Sequence, residues 1–341
     1  MKRTSLAVAV AMSFLPWIAK ADGVPSEMRV MRYYQTGPSS VMHVETAPKP
    51  TPKPGEVIVQ VAAAGVNPID VLFRQGGQGA GAAVFPTVPG HDISGRIVAT
   101  GAGVDPVWIS KDVFGLISWR GGGYAEYVAV PADLVVPKPP RLSYAQAAAV
   151  PLAALTAYQA LFVEGKLSAG QRILILGGSG GVGHMAVQLA KNAGAHVLAT
   201  TSADNIEYVQ AIGADLAVDY RKKRLESIVG QVNFVLDTVG GDALARSYRM
   251  IRPGGTLIST VETPDSALLA ERNLKGARVT VHPDRNNLRE IALLIQAGAV
   301  TPTVSMMYSL ADGALAQDDL DRLHKPGKSV LLVQALDEIK R

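Results

Sequence analysis

Arg172-Ile173-Leu174-Ile175-Leu176 runs directly into Gly177-Gly178-Ser179-Gly180-Gly181-Val182-Gly183. A short apolar run closed by glycine reads as a buried strand. Beyond it, Val182, Ala186, Leu189 and Ala193 recur on one face of a helix. Gly178, Gly180 and Gly183 therefore satisfy G-x-G-x-x-G in strand–turn–helix context. Glycine allows the tight turn, lets backbone amides approach a pyrophosphate and lets the helix pack on the strand. The helix N-terminus adds unbonded N–H groups and a dipole that favours an anion. Gly178, Ser179, Gly180, Gly181, Val182 and Gly183 are thus the expected dinucleotide-binding loop. A nucleoside-triphosphate loop needs Gly-Lys-Ser/Thr, and Gly183-His184-Met185 excludes it. Ser179 sits where phosphate would bind, so a hydrolase nucleophile elbow is not expected.

Outward from this stretch the chain has two textures. After it come the strands His196-Val-Leu-Ala-Thr200, Leu216-Ala-Val-Asp219, Phe234-Val-Leu-Asp237 and Thr256-Leu-Ile-Ser259, separated by helical segments. That alternation predicts a parallel, doubly wound α/β sheet. Before it, from about Met28 to Pro140, short β-type runs such as Val57–Ala63, Ser94–Thr100 and Tyr124–Val130 lie between glycine and proline breaks. Pro48, Pro50, Pro52 and Pro54 read as a stiff connector. The chain closes on a further strand, Ser329–Val333.

The length of 341 residues exceeds what one hydrophobic core usually serves, so two domains are expected. With 48% apolar and 18% charged residues, the composition is that of a folded chain. Basic residues are scattered rather than striped, which speaks against a nucleic-acid partner. The chain has no cysteine, so disulfides, thiolate zinc sites and cysteine nucleophiles are excluded. Lys2 and Arg3, the apolar stretch Leu6–Ala19 and the ending Ala19-Lys20-Ala21 have the three parts of a secretory leader over residues 1–21. The stretch is too short for a stable membrane span and holds Pro16. Export, for instance to a periplasm, is the expectation; Met28 as a start would give a cytoplasmic protein instead.

The second strand of the α/β part bears on which nucleotide binds. An NAD site places Asp or Glu at its end to accept from the ribose hydroxyls. Here it ends in Ala199-Thr200-Thr201-Ser202, without an acid. A carboxylate would repel a 2′-phosphate, whereas hydroxyls can donate to it. NADP(H) is therefore expected, with Ser202 as the first contact and Tyr220 and Arg221 as the next candidates. Asp204 is the one nearby residue that argues for NAD.

Further matching stretches are Gly65-Val-Asn-Pro-Ile-Asp70, Pro89-Gly-His-Asp-Ile-Ser-Gly95, Gly122-Gly-Tyr-Ala-Glu-Tyr-Val128, Ala148–Tyr158, Asp237-Thr-Val-Gly-Gly241 and Arg252-Pro-Gly-Gly255. In this order they resemble the zinc-independent quinone oxidoreductase branch of the medium-chain dehydrogenase/reductase superfamily. The resemblance covers nearly everything from Met28 to Val333. It implies a GroES-like β domain over 22–146, a Rossmann domain over 147–283 and a return to the first domain over 284–341. It also implies a homodimer.

Zinc-dependent members carry cysteines where this chain has Asn67 and near Pro151, and a histidine at His91. One imidazole cannot build a three-ligand catalytic site, so no metal is expected. His91 then reads as a hydrogen-bonded core residue. Of the other histidines, His43, His196, His282 and His324 lie in separate segments without ligand spacing. Without a Lewis acid, quinones and α,β-unsaturated carbonyls are the acceptors best suited to hydride transfer, because conjugation spreads the arriving charge. The resemblance points to Asn67 as donor to a carbonyl, the alternative being a turn residue before Pro68; Asp70 reads as its orienting partner or a helix cap, and Tyr124 as a wall or donor. Where many members have an aromatic in this segment, the chain has Leu72. The alternatives are an enoyl-thioester reductase and a non-catalytic dinucleotide-binding or redox-sensing protein.

Overall fold

The computed structural model describes residues 26–77, 84–221, 225–323 and 325–334. The leader read over residues 1–21, and His324, lie outside the described residues. Strands β1 (Glu27–Arg32) and β2 (His43–Pro48) pair as an antiparallel ribbon. β3 (Glu56–Val66), β4 (Asp92–Thr100), β5 (Asp112–Leu116), β6 (Tyr127–Pro131) and β7 (Val136–Pro137) build a larger sheet with β3 at its centre. Val57, Val59 and Val61 point with Ile93, Ile97, Val113 and Val130 into one core. Ile58 faces a smaller cluster with Val30, Ala47 and Tyr127, so β3 is buried on both faces. Tyr124 precedes β6 rather than belonging to it, and its carbonyl accepts from Met31 N at 2.9 Å.

The second sheet contains β8 (Arg172–Leu176), β9 (His196–Thr201), β10 (Leu216–Asp219), β11 (Val232–Asp237), β12 (Ile251–Ser259) and β13 (Lys275–Arg278). All its pairings are parallel, in the order β10-β9-β8-β11-β12-β13. Counted from β8 this is 3-2-1-4-5-6, the doubly wound Rossmann order. The strand order reverses between β8 and β11, and ligands of such sheets bind at the carboxyl ends there. The helix Gly181–Asn192 follows β8 and buries Met185, Ala186, Leu189 and Ala190 against Ile173 and Ile175. Fully burying one Leu or Ile contributes about 1.5–3 kcal/mol, so this contact holds the glycine loop firmly.

Helix Arg285–Gln296 buries Leu288, Ile291 and Ile295 in the same core. The chain re-enters the first sheet after this helix, at β14 (Val304–Ser309). The helix's apolar face lies in a cluster that also takes in Phe114, Leu116, Val136 and Leu142 of the first domain. β15 (Lys328–Leu332) then pairs antiparallel with β3, placing Ser329 opposite Val66. This brings the last strand beside both domains' functional loops. Among the described residues no helix is long and apolar enough to cross a membrane.

Candidate functional site

The loop after β8 turns at Gly177, whose φ of 79° suits glycine. Gly178 N donates to the Thr200 carbonyl at 2.7 Å and Gly177 N to Thr200 Oγ1 at 3.1 Å, tying the turn to β9. A side chain at Gly183 would run into the Gly177 carbonyl. This is the close helix–strand approach expected of the third glycine. The first backbone bond of the helix is His184 N to the Gly180 carbonyl, 2.9 Å, so the amides of its opening turn are free for a ligand. His184 is fully buried beneath them. Its Nδ1 lies 3.0 Å from the Gly180 carbonyl, and its Nε2 accepts from Thr303 N at 3.4 Å. Burial pushes its pKa down to about 4, so the ring is neutral at pH 7.

A polar cluster flanks the loop. Thr201 Oγ1 donates to Ser179 Oγ at 2.8 Å, and Asn205 Nδ2 donates to Ser202 Oγ at 3.1 Å. Ser202 thus lies beside the glycine loop with Asn205, a residue that sequence reading overlooked because its role depends on the turn after β9. Tyr220 N donates to the Thr201 carbonyl at 3.1 Å, which joins the Tyr220–Arg221 loop to the same edge. The Arg221 guanidinium is held on Asp219, Nε–Oδ1 2.9 Å and Nη2–Oδ2 3.2 Å, so it already carries a carboxylate partner. Asp204 is exposed.

Across the domain junction, Asn67 caps the helix Pro68–Arg74, and Asp70 Oδ2 accepts from its backbone N at 2.9 Å. Asp70 Oδ1 lies 2.6 Å from His91 Nδ1, and the Tyr124 hydroxyl donates to Asp70 Oδ2 at 3.4 Å. Asp70 therefore both caps and orients. Asn67, Asp70, His91, Asp92 and Tyr124 are each 2% exposed or less. Burial opposes protonation of His91, but Asp70 outweighs it and raises the imidazole above its usual range. Burial, reinforced by the Asp70 charge, holds the Tyr124 phenol well above its usual value, so it remains a donor. The Asn67 amide is engaged inside the protein: Nδ2 donates to Asp92 Oδ2 at 2.9 Å and Oδ1 accepts from Lys328 Nζ. The expected contact between this amide and an acceptor carbonyl is therefore not preformed.

Lys328 was not singled out from sequence; Gly327-Lys328 before the last strand is its only local signal. Its Nζ also donates to the Val66 carbonyl at 2.9 Å and stands 3.8 Å from Asp92 Oδ2. Desolvation lowers its pKa and raises that of Asp92. Gly327 N donates to the Ser179 carbonyl at 2.8 Å, and a side chain at Gly181 would lie 3.1 Å from Lys328 Cδ. The glycine loop and the Asn67 network are thus neighbours through this residue. Phe73, His91 and Trp119 form the aromatic wall, with ring centroids 5.4 to 6.4 Å apart. Trp119, at the edge of this wall, is 36% exposed.

The donors present do not fit a catalytic zinc. His91 is the one imidazole, its Nδ1 is held by Asp70, and both Asp92 oxygens accept from Asn67 and Leu152. Among the described residues no three His, Asp or Glu side chains converge as a metal site.

Residues 53–140 match the family model described as alcohol dehydrogenase GroES-like domain, and residues 212–331 that described as zinc-binding dehydrogenase. A quinone-oxidoreductase homolog, chloroplastic, of Spinacia oleracea is 42% identical over 323 residues, spanning 89% of this chain and 98% of that protein. The NADPH-dependent alkenal/one oxidoreductase, chloroplastic, of Arabidopsis thaliana is 33% identical over 320 residues, 90% of this chain and 80% of that protein. The structure of the quinone oxidoreductase from Coxiella burnetii superposes with a TM-score of 0.83 at 30% identity, covering 90% of this chain and all of that one.

Proposed function

The chain belongs to the quinone oxidoreductase-like proteins of the medium-chain dehydrogenase/reductase superfamily, and on that premise we propose that it is an NADPH-dependent, metal-independent reductase of quinones or α,β-unsaturated carbonyls. The observation that carries this reading is the junction itself. A helix N-terminus free for a pyrophosphate stands one residue, Lys328, away from a buried Asn67–Asp92 and Asp70–His91 network. The names of the two plant relatives, a quinone-oxidoreductase homolog and an NADPH-dependent alkenal/one oxidoreductase, support the choice of acceptor and nucleotide.

Bound NADPH supplies a hydride, and a proton from solvent or an acid group completes reduction of the acceptor. The protein's part is binding, orientation and exclusion of water. Ser202 Oγ accepts from Asn205 Nδ2 and keeps its own hydrogen to donate to a 2′-phosphate, with Tyr220 and Arg221 at the rim. Asp70 holds the His91 ring, Nδ1 at 2.6 Å, with its Nε2 3.4 Å from the Trp119 carbonyl, which fixes the imidazole within the aromatic wall. Tyr124 and Asn67 brace Asp70 and Asp92 from behind. No Lewis acid is invoked, because conjugation delocalises the charge that develops. Export by residues 1–21 and a homodimer belong to the same proposal. Side-by-side fluorescence titration with NADPH and NADH tests the nucleotide half: tight NADPH and weak NADH binding is expected, and equal binding would refute the phosphate-site assignment.

A further inference from the structure

Lys328 is a buried cation that the reading above leaves without a task. Its side chain is 5% exposed, yet it spans the junction of the two domains. Three separate contacts define it. The preceding Gly327 N is bonded to the Ser179 carbonyl of the glycine loop, and Lys328 N donates to the Thr303 carbonyl at 2.9 Å. The methylene stem lies against Gly181, the first residue of the nucleotide helix. The ammonium ends on the Val66 carbonyl and Asn67 Oδ1, beside Asp92. An amide whose oxygen is claimed by an ammonium has one orientation left: Asn67 must turn its Nδ2 to Asp92, and it does, at 2.9 Å. Asp92 in turn accepts from Leu152 N at 2.7 Å, so the frame continues into the helix Pro151–Tyr158 of the other domain. A buried charge with three such partners is costly to displace, which makes the arrangement stiff.

We propose that Lys328 is a positioning residue: anchored on the glycine loop by its backbone and stem, it fixes the Asn67 amide with its ammonium, so that the nucleotide and the acceptor side are held in one frame. This rests on the reading of the junction as a hydride-transfer site. It separates stem from head. Lys328→Met keeps most of the stem and removes the ammonium; Lys328→Ala removes both.

The experiment compares the full chain with both variants by equilibrium NADPH and NADH titration, by hydrogen exchange of the Asn67 side-chain amide in NMR spectra, and by kcat and KM with an enone. In Lys328→Met the Asn67 amide is expected to exchange roughly tenfold faster or more. Its kcat is expected to fall about tenfold or more, with NADPH and NADH affinities within about twofold of the parent. In Lys328→Ala, NADPH and NADH binding are expected to weaken together, since the pyrophosphate is common to both. A purely structural lysine would lower Tm in both variants while leaving Asn67 exchange in the folded protein unchanged, and that result overturns the proposal. Equal loss of nucleotide affinity in Met and Ala variants also overturns it, because the head would then act on the nucleotide directly. Should Lys328→Met fail to fold, Lys328→Gln is measured against the same expectations. If the parent turns over no quinone or enone, the hydride-transfer reading fails by itself, while exchange and affinity still decide the role of Lys328.

Discussion

Ser202 and His184 sit on either side of the same glycine loop and make different demands on solution conditions. Ser202 Oγ accepts from Asn205 Nδ2 and is the proposed contact to a 2′-phosphate. Ser202→Asp puts a carboxylate there. NADPH affinity is expected to fall about tenfold or more, with NADH affinity little changed, as measured by the paired titration. An unchanged preference would remove Ser202 from the phosphate site. His184 governs acid stability. Its pKa is about 4 in the folded chain and about 6.5 when unfolded, so the unfolded chain binds more protons between those values. Stability is therefore expected to fall as pH drops from about 6.5 towards 4, by about 3 kcal/mol at most. His184→Gln should flatten that part of a Tm-against-pH profile; an unaltered slope would contradict the neutral, buried assignment. Ser202 was open to reading because its place after a strand is local. His184 was not, because its burial comes from Thr303, more than a hundred positions away in sequence.

At the scale of the element, the glycine loop divides its glycines by what surrounds them. Gly183 has no room for a side chain, whereas one at Gly180 would meet only the Gly177 carbonyl at 3.4 Å. Gly183→Ala is expected to lower Tm by several degrees and abolish nucleotide binding, while Gly180→Ala should change stability by about 1 kcal/mol or less. Thermal melts of the two variants check this; equal melts would refute the close-packing account. This element was legible from sequence, since strand, turn and helix all lie within β8 and the helix Gly181–Asn192. Helix Arg285–Gln296 was harder to place. Its apolar face gives a helix, but only the packed structure shows that Leu288, Ile291 and Ile295 join a core shared by Leu116 and Val136 of the first domain and Ile173 and Ile175 of the second. Asn67, Asp70 and His91 likewise lie in legible segments, yet the inward turn of the Asn67 amide depends on Lys328, which arrives from the far end of the chain.

Over the whole molecule, the order of textures in the sequence anticipated a β-rich part beside a parallel α/β sheet, and the strand orders agree. What sequence could not convey is that the return places β15 against both β3 and the glycine loop, because that contact joins residues 262 positions apart. A homodimer is expected in solution, and sedimentation giving a monomer mass would contradict it. The central claim is transfer of hydride to a conjugated acceptor without a metal. Its most direct measurement follows deuterium from NADPH labelled at nicotinamide C4 into an enone, by mass spectrometry, in excess chelator. Label at the β-carbon of the saturated product, at a rate the chelator leaves unchanged, is the expected result. Absence of labelled product with every enone tried, together with no NADPH oxidation by any quinone, or loss of turnover on chelation, would contradict the account.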